Sequence, residues 1–564
     1  MLMHPLLSSY APSFSGEQPA PIGAGLPGAS VEVIPPKAAA SAMPEVETAH
    51  AAASYRAKDM ASWTPSRISP DSALLSELDT INARGDDLAR NNGVAAGAER
   101  TYVDNVIGPR VMCKPNPDRV ALGKDAVWVD EWSRVVEAEW KGFADGIYFD
   151  AAWTLNFHGA TRLQARTLAS AGELLALPLW LPERGSRWNT CMQLVDPARL
   201  SNPNGMMDTA TLRGGKEIDA YGAAVAYHIR KSHPGDIFGF GGMFGGGVWE
   251  RIPAWTPFGR ARVIHAFEPE RIGQSRGKPP ITAVARMFKM YDHLTVEKLR
   301  STVLNAMIFA AMETPMDQES FVTTFGGDKM ADYQAGLNEW RVQMKGGAII
   351  PLPPGTKLNP FIPGGPDSEL DAFATLMLRH IGTGLNMPYE LIFKDFSKTN
   401  YSSARAALLE AWRYFYSCRQ LVSDGWCSVV YDLWFEEAVN RGRIPDCKPA
   451  DFYARRTAWT QAKWIYAGRG WVDPLKEAQA AGTRMDNNLT SLQDEAAEQG
   501  KDSRDVQEQR AREFAHAIEL EKQYGLPEGT LSRKGNGQIV TVHSSDGEAT
   551  TSNSTAKDQG AKAA

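Results

Sequence analysis

"VIHAFEPERIGQSRGKPPITAVARMF" runs from Val263 to Phe288, and its reading decides the fold. The first part, within "RARVIHAFEPE", reads as a strand. Glu268-Pro269-Glu270 breaks that strand. Pro279 and Pro280 then suit the first turn of a helix, where a missing backbone N–H costs nothing. From Pro280 to about Met312 the pattern predicts one helical run. Its apolar stripe is Val284, Phe288, Tyr291, Leu299, Val303 and Met307, at three- to four-residue steps. Such a helix would reach roughly 45 Å.

Between strand and helix lies "GQSRG", Gly273 to Gly277, which matches the GxSxG nucleophile elbow of serine hydrolases. An elbow needs a strand feeding straight into the serine and a helix starting straight after it. Here Glu268-Pro269-Glu270 interrupts one side, and Lys278-Pro279-Pro280 the other. Ser275 and Lys278 also spell SxxK, without the companion motifs of that enzyme class. A structured turn is the better reading, and a serine hydrolase built on Ser275 is kept as an alternative.

Downstream, a Pro/Gly-rich stretch contains a short strand, "GAIIPLPPGTK". A second helix is expected from near Ser368 to Leu385, with Ser368 and Asp371 assisting its first turn. The chain then reads "FSKTNYSSARAALLEAW", Phe396 to Trp412: a polar, basic loop turning into an alanine-rich helix. Asn400, Ser402 and Ser403 can each cap that helix. The helix is expected to run from about Ser402 to Val439, with Gly425 as the point of a kink. The arithmetic of helix, β insert and helix favours a protruding pair of helices with a small β tip.

Upstream, Leu74, Leu78, Ile81 and Leu88, then Val94, Ala98, Tyr102, Val103 and Val106, give two helices broken near Asn91-Asn92-Gly93. Another helix is expected over Val127 to Trp140. "TCMQLVD" reads as a strand, and "GKEIDAYGAAVAYHIRK" as a hairpin turning at Ala220-Tyr221-Gly222. Residues 486–526 close the ordered part as a charged helical hairpin. Residues 1–70 are rich in Ala, Pro, Ser and Gly, and 527–564 hold almost no apolar residues, so both read as flexible ends.

The bulk numbers bound the function. A chain of 564 residues exceeds one simple core. Hydrophobic residues make up 43% and charged residues 22%, which suits a largely globular protein. A net charge of -6 excludes a bulk-basic nucleic-acid binder and leaves room for a local basic patch. The five cysteines are scattered and form no CxxC pair, so neither a disulfide framework nor a zinc site is expected. No apolar run approaches the roughly 20 residues of a membrane span. No signal peptide is read at the N-terminus, and a reducing, cytoplasmic site of synthesis is expected.

The remaining motifs have ordinary readings. "GFGGMFGGG", Gly239 to Gly247, lacks the spacing of a phosphate loop and reads as a mobile loop. Asp432 and Glu436 sit one helical turn apart beside Glu437, and a solvated helix face is expected rather than a metal site. His228 and His233 do not suggest a ligand pair. No catalytic constellation emerges.

Four stretches carry a resemblance: "LARNNGVAAGAERTYVDNVIGP" (Leu88 to Pro109), "KEIDAYGAAVAYHI" (Lys216 to Ile229), "VIHAFEPERIGQSRGKPPITA" (Val263 to Ala283) and "NYSSARAALLEAWRYF" (Asn400 to Phe415). In this order they resemble the lambda-type family of tailed-phage portal proteins, over roughly residues 75–440. The resemblance implies an α+β, portal-type subunit with an α/β wing, a two-helix stem, a small β clip and a helical crown. On this chain that gives a flexible arm at 1–70, wing at 71–279, first stem helix at 280–312, clip at 313–366 and second stem helix at 367–387. A tunnel loop comes next, at 388–402. A long kinked helix with the remainder of the wing occupies 403–485, the crown 486–526, and a tail 527–564.

The same resemblance implies a ring of about twelve copies at one capsid vertex, through which double-stranded DNA is packaged and ejected. The partners would be the terminase large subunit, major capsid and scaffold proteins, and head-tail connector proteins, with no membrane. The chain would assemble in the host cytoplasm and reside in the virion. No cofactor, metal or catalytic residue is implied, since ATP hydrolysis would belong to the terminase. The negative net charge suits a wall along which DNA slides. The candidate DNA contacts are Lys394, Ser397, Lys398, Thr399 and Asn400, on a flexible loop. A monomeric helical adaptor or scaffold protein is the other alternative.

Overall fold

The computed structural model describes residues 50–53, 58, 60–236, 247–312, 348–351, 367–397, 400–470, 473–527 and 529–531. The chain divides into two units, 1–67 and 68–564. The described part of the first holds a single 3-10 turn, Ala51–Ala53. The second unit carries the sheets, the helices and the core.

This unit starts with α1, Pro70–Leu74, capped by the Ser69 hydroxyl. Helices α2 (Leu78–Asn91) and α3 (Gly93–Val106) meet at Asn92, whose side chain accepts the N–H groups of Val94 and Ala95. One residue thus ends one helix and starts the next. Strand β1 (Met112–Pro115) and the short α4 (Arg119–Leu122) lead to α5, Ala126–Ala144, and later α6, Phe157–Ala171.

Strand β2, Glu173–Trp180, is the centre of the β region. It pairs antiparallel with β3 (Thr190–Leu194) and also with a later strand, Ile264–Phe267. Its sequence "ELLALPLW" is apolar on both faces because both are covered. Leu174 and Ala176 enter the main core, while Leu175 and Leu177 enter a second core with Val195, Tyr227, Ile229 and Ile252. Alternation of side chains along a strand makes this division. The second core is roofed by an antiparallel meander of β4 (Leu212–Arg213), β5 (Lys216–Ile218), β6 (Ala224–Arg230) and β7 (Trp249–Pro253). The hairpin read at Lys216–Ile229 is there, turning at residues 219–223.

After β8, Ile264–Phe267, a 3-10 turn at Pro280–Ala283 precedes α7, Ala285–Met307. The expected helix is therefore shorter at both ends. Residues 308–312 form strand β9, which pairs in parallel with β10, Ala348–Pro351. Only Ile308 and Phe309 of this run favour strand by propensity, so the pairing with β10 overrides the helical preference of Ala310, Ala311 and Met312. Of the expected clip at 313–366, all but 348–351 lies outside the described residues.

Helix α8, Asp367–Gly384, packs against α7 near the body. Val284, Phe288, Leu378 and Ile381 are buried there. Next come the short helix α9, Tyr389–Phe393, then α10, Tyr401–Val422, a π-helical turn at Ser423–Cys427 and α11, Ser428–Asn440. The kink expected at Gly425 is this π turn, and the reason lies in packing. A Cβ on Gly425 would stand 2.4 Å from Ala266 Cβ on β8, so only glycine lets strand and helix meet. Helices α12 (Pro449–Ala454) and α13 (Arg456–Trp459) and strand β11 (Ala462–Ile465), antiparallel to β1, close the main core. Trp140, Trp426, Trp434 and Trp459 are each no more than 2% exposed in it.

Helices α14 (Pro474–Asp486), α15 (Leu492–Glu498) and α16 (Ser503–Tyr524) form the charged C-terminal part. The Asp502 cap of α16 is tied to Lys114 of β1 at 2.9 Å, and Lys114 also meets Glu137 of α5 at 2.7 Å.

Candidate nucleic-acid interface

The candidate loop is built more tightly than its sequence implies. Residues 388–402 are not one open loop. The chain turns at Asn386 with φ 55°, and α9 comes next, with Ile392 buried in the main core. The Tyr389 and Phe393 rings stack at 5.3 Å, and Phe393 meets Tyr291 of α7 at 6.4 Å. Lys394 then takes a left-handed conformation, φ 56°, with its side chain exposed. That region is uncommon for any residue but glycine and persists only where neighbours fix it.

Asp395 does the fixing. Its carboxylate accepts the Tyr389 hydroxyl at 3.1 Å, the Ser397 N–H at 3.0 Å and the Ser397 hydroxyl at 2.6 Å. Burial, then the bond to Asp395, pushes the Tyr389 phenol above its ordinary pKa. Of the three residues able to cap α10, Asn400 does so, its side-chain oxygen accepting the Ser403 N–H at 2.8 Å. Lys394, Ser397 and Asn400 thus share one short segment. Ser397 and Asn400 are engaged in holding it, and Lys394 forms no ion pair among the described residues. Lys398 and Thr399 lie outside the described residues. Tyr389 and Asp395 fall within the loop expected from the sequence, which assigns neither of them a role. The Asp-x-Ser spacing was the available signal for a turn closed by a carboxylate.

The GxSxG motif is engaged in buried contacts. Ser275 is 4% exposed, and its hydroxyl and backbone N–H both donate to the buried Asp71, at 2.8 and 2.7 Å. The GQSRG segment is therefore a tie between the root of α7 and α1, and the serine points into a carboxylate rather than at an imidazole. Arg276 next to it meets both oxygens of Glu173 and donates to the carbonyls of Pro197, Leu200 and Gly214. Glu173 also accepts the Gly277 N–H at 2.8 Å and contacts His265 Nε2 at 3.0 Å. Burial alone would raise the Glu173 carboxyl, but Arg276 and His265 outweigh it and hold the pKa at about 2. Burial keeps His265 below its ordinary value.

The acidic group on α11 is corrected as well. It is not a solvated face: Glu436 and Glu437 are 4% and 2% exposed. Glu436 pairs with Arg260 at 2.8 Å and accepts the Tyr453 hydroxyl, while Asp432 pairs with Arg456 at 2.5 Å. Glu437 accepts the N–H groups of Asn189 and Thr190, both at 2.8 Å, and so tethers β3 to the helix. His228 meets Glu217 at 2.6 Å, while His233 lies 3.8 Å from Asp196. Among the described residues there is no group of three or more metal-ligating side chains, and no helix is long and apolar enough to cross a membrane. In the glycine-rich stretch 239–247, only Gly247 is described.

Comparison with known proteins adds the family. Residues 56–420 match the family described as phage portal protein, lambda family. The chain is 33% identical over 466 residues to the portal protein of Escherichia phage N15, covering 80% of this chain and 87% of that one. It is 32% identical over 467 residues to portal protein B of Escherichia phage lambda, covering 80% and 86%. Among solved structures, a chain from the neck of an empty gene transfer agent particle is similar at a TM-score of 0.37 and 12% identity, over 78% of this chain and 94% of that chain. That likeness is too loose to carry an argument. The family match spans α7, α8 and the candidate loop, and the chain belongs to the lambda family of phage portal proteins.

Proposed function

We propose that this portal protein assembles into a closed ring of about twelve copies lining a channel at one capsid vertex. Double-stranded DNA is packaged and later ejected through that channel. The terminase large subunit docks on the ring during packaging and head-tail connector proteins replace it. Major capsid and scaffold proteins hold its rim, and assembly takes place in the host cytoplasm. In this reading α7 and α8 are the stem, β9 and β10 belong to the clip, the sheets and the main core are the wing, and α14–α16 are the crown. The role is structural, and the family match supports it over a serine hydrolase.

One observation carries the ring. Among the described residues, the apolar stripe that starts at Val284, just before α7, and continues along that helix is covered only at its root. Val284 and Phe288 are 2% and 0% exposed, yet Leu299 and Val303 further along are 65% and 41% exposed. On α8, Ile381 is fully buried, whereas Phe373 and Leu376 are 52% and 63% exposed. Apolar side chains held at helical spacing on two projecting helices suit burial against neighbouring copies. A monomeric adaptor would have covered them within its own chain. Electron microscopy and native mass spectrometry of the purified chain test this. Closed rings are expected, and a stable monomer at high concentration would refute the proposal.

A further inference from the structure

Lys394 is pinned from both sides. On its N-terminal side Ile392 is buried, Tyr389 and Phe393 stack on each other, and Phe393 reaches Tyr291 of α7. On its C-terminal side the Asp395 carboxylate reaches back to the Tyr389 hydroxyl and forward to Ser397. The left-handed backbone at Lys394 sits between these two anchors. A cation held this way loses less freedom on contact than one on a loose chain.

We propose that Tyr389 and Asp395 are positioning residues: they clamp the segment 394–397 so that Lys394 is presented, preorganised, to a passing phosphate backbone. This rests on the channel reading of the loop. Asp395 cannot be there to improve attraction, because a carboxylate beside the lysine weakens the local pull on phosphate. Charge and position therefore give opposite signs when Asp395 is removed. If it acts by charge, Asp395→Ala strengthens the contact. If it acts by position, Asp395→Ala weakens it, and the charge-neutral Tyr389→Phe weakens it too.

Full-length protein carrying Tyr389→Phe or Asp395→Ala is compared with wild type by two measurements. The first is hydrogen exchange at the Ser397 amide in assembled protein without DNA. Exchange about five- to tenfold faster is expected in Tyr389→Phe, which loses one ordering hydrogen bond, and at least as large an increase in Asp395→Ala, which loses three, with an unchanged unfolding midpoint. Unchanged exchange in both overturns the clamp. The second is formaldehyde crosslinking of Lys394 to DNA in filled heads. A several-fold loss in both variants is expected. A gain in Asp395→Ala with no change in Tyr389→Phe overturns the proposal in favour of charge. Faster exchange with no Lys394 crosslink even in wild type overturns the channel reading and the role of the clamp, while leaving its geometry standing.

Discussion

Glu173 and Arg276 lie 103 residues apart and meet at 2.5 to 3.0 Å through both carboxylate oxygens, with their side chains 0% and 4% exposed. The pair joins the first residue of the central strand to the turn that launches α7. Close approach continues next to it: a Cβ on Gly277 would stand 2.3 Å from the Gly172 carbonyl oxygen. The root of α7 is thus fixed to the central sheet, and an uncompensated charge there would cost about 3–5 kcal/mol.

Acid should release this attachment. The folded-state pKa of Glu173 is about 2 against an ordinary 4.5. Its contribution is fully present above pH 4.5 and is lost as pH falls towards 2, on the order of 3 kcal/mol in all. His265, held by burial below its ordinary value, pushes the same way, since the unfolded chain takes up that proton more readily as pH falls. Unfolding midpoints of wild type and Glu173→Gln, measured from pH 7 to pH 2, should converge as pH falls. Parallel curves would show that Glu173 does not titrate as described.

Ser275 should be inert to a fluorophosphonate probe, because its hydroxyl is buried and donates to Asp71. Ser275→Ala should lower stability by about 1–2 kcal/mol by leaving that carboxylate short of a donor. Labelling of wild type that vanishes in Ser275→Ala would restore the hydrolase alternative.

Gly425→Ala should destabilise the body by about 1–3 kcal/mol through overpacking against Ala266. Gly97→Ala is the matched control. It lies inside α3 with nothing within 4 Å of the added Cβ, so it should be neutral or stabilise by up to about 1 kcal/mol. Chemical denaturation of both variants distinguishes a packing requirement from helix propensity.

Lys394→Glu combined with Lys398→Glu should leave ring assembly intact, since Lys394 is exposed and outside the packed helices. DNA packaging or retention should fall several-fold, because each reversed charge adds repulsion to a phosphate contact. Wild-type packaging and retention in the double variant would reduce the segment to a fold feature.

Deleting residues 348–357 removes β10 and leaves β9 without its partner. A two-stranded unit is marginal by itself, so its strands are expected to pair further with neighbouring copies. The deletion should block ring formation or terminase docking while circular dichroism still reports a folded body. Normal rings that package normally would contradict this.

Features set by short-range rules were legible in the sequence. Asn92 between two helices, Asn400 before α10, the prolines ahead of α7 and the 216–229 hairpin all depend on neighbours a few residues away, where propensity and capping act. The family resemblance was readable for a similar reason: it rides on contiguous stretches. What tertiary structure decided lies across long separations. The stripe on α7 was visible as a stripe, but which half the body covers depends on α8 and the main core. Glu436 and Glu437 look like surface charges until Arg260, some 176 positions earlier, and the β3 backbone arrive to pair with them. Ser275 looks nucleophilic until Asp71 closes on it from 204 residues away. A side chain's chemistry depends on its partners and its access to water, and when those partners are distant in the chain, only folding brings them together.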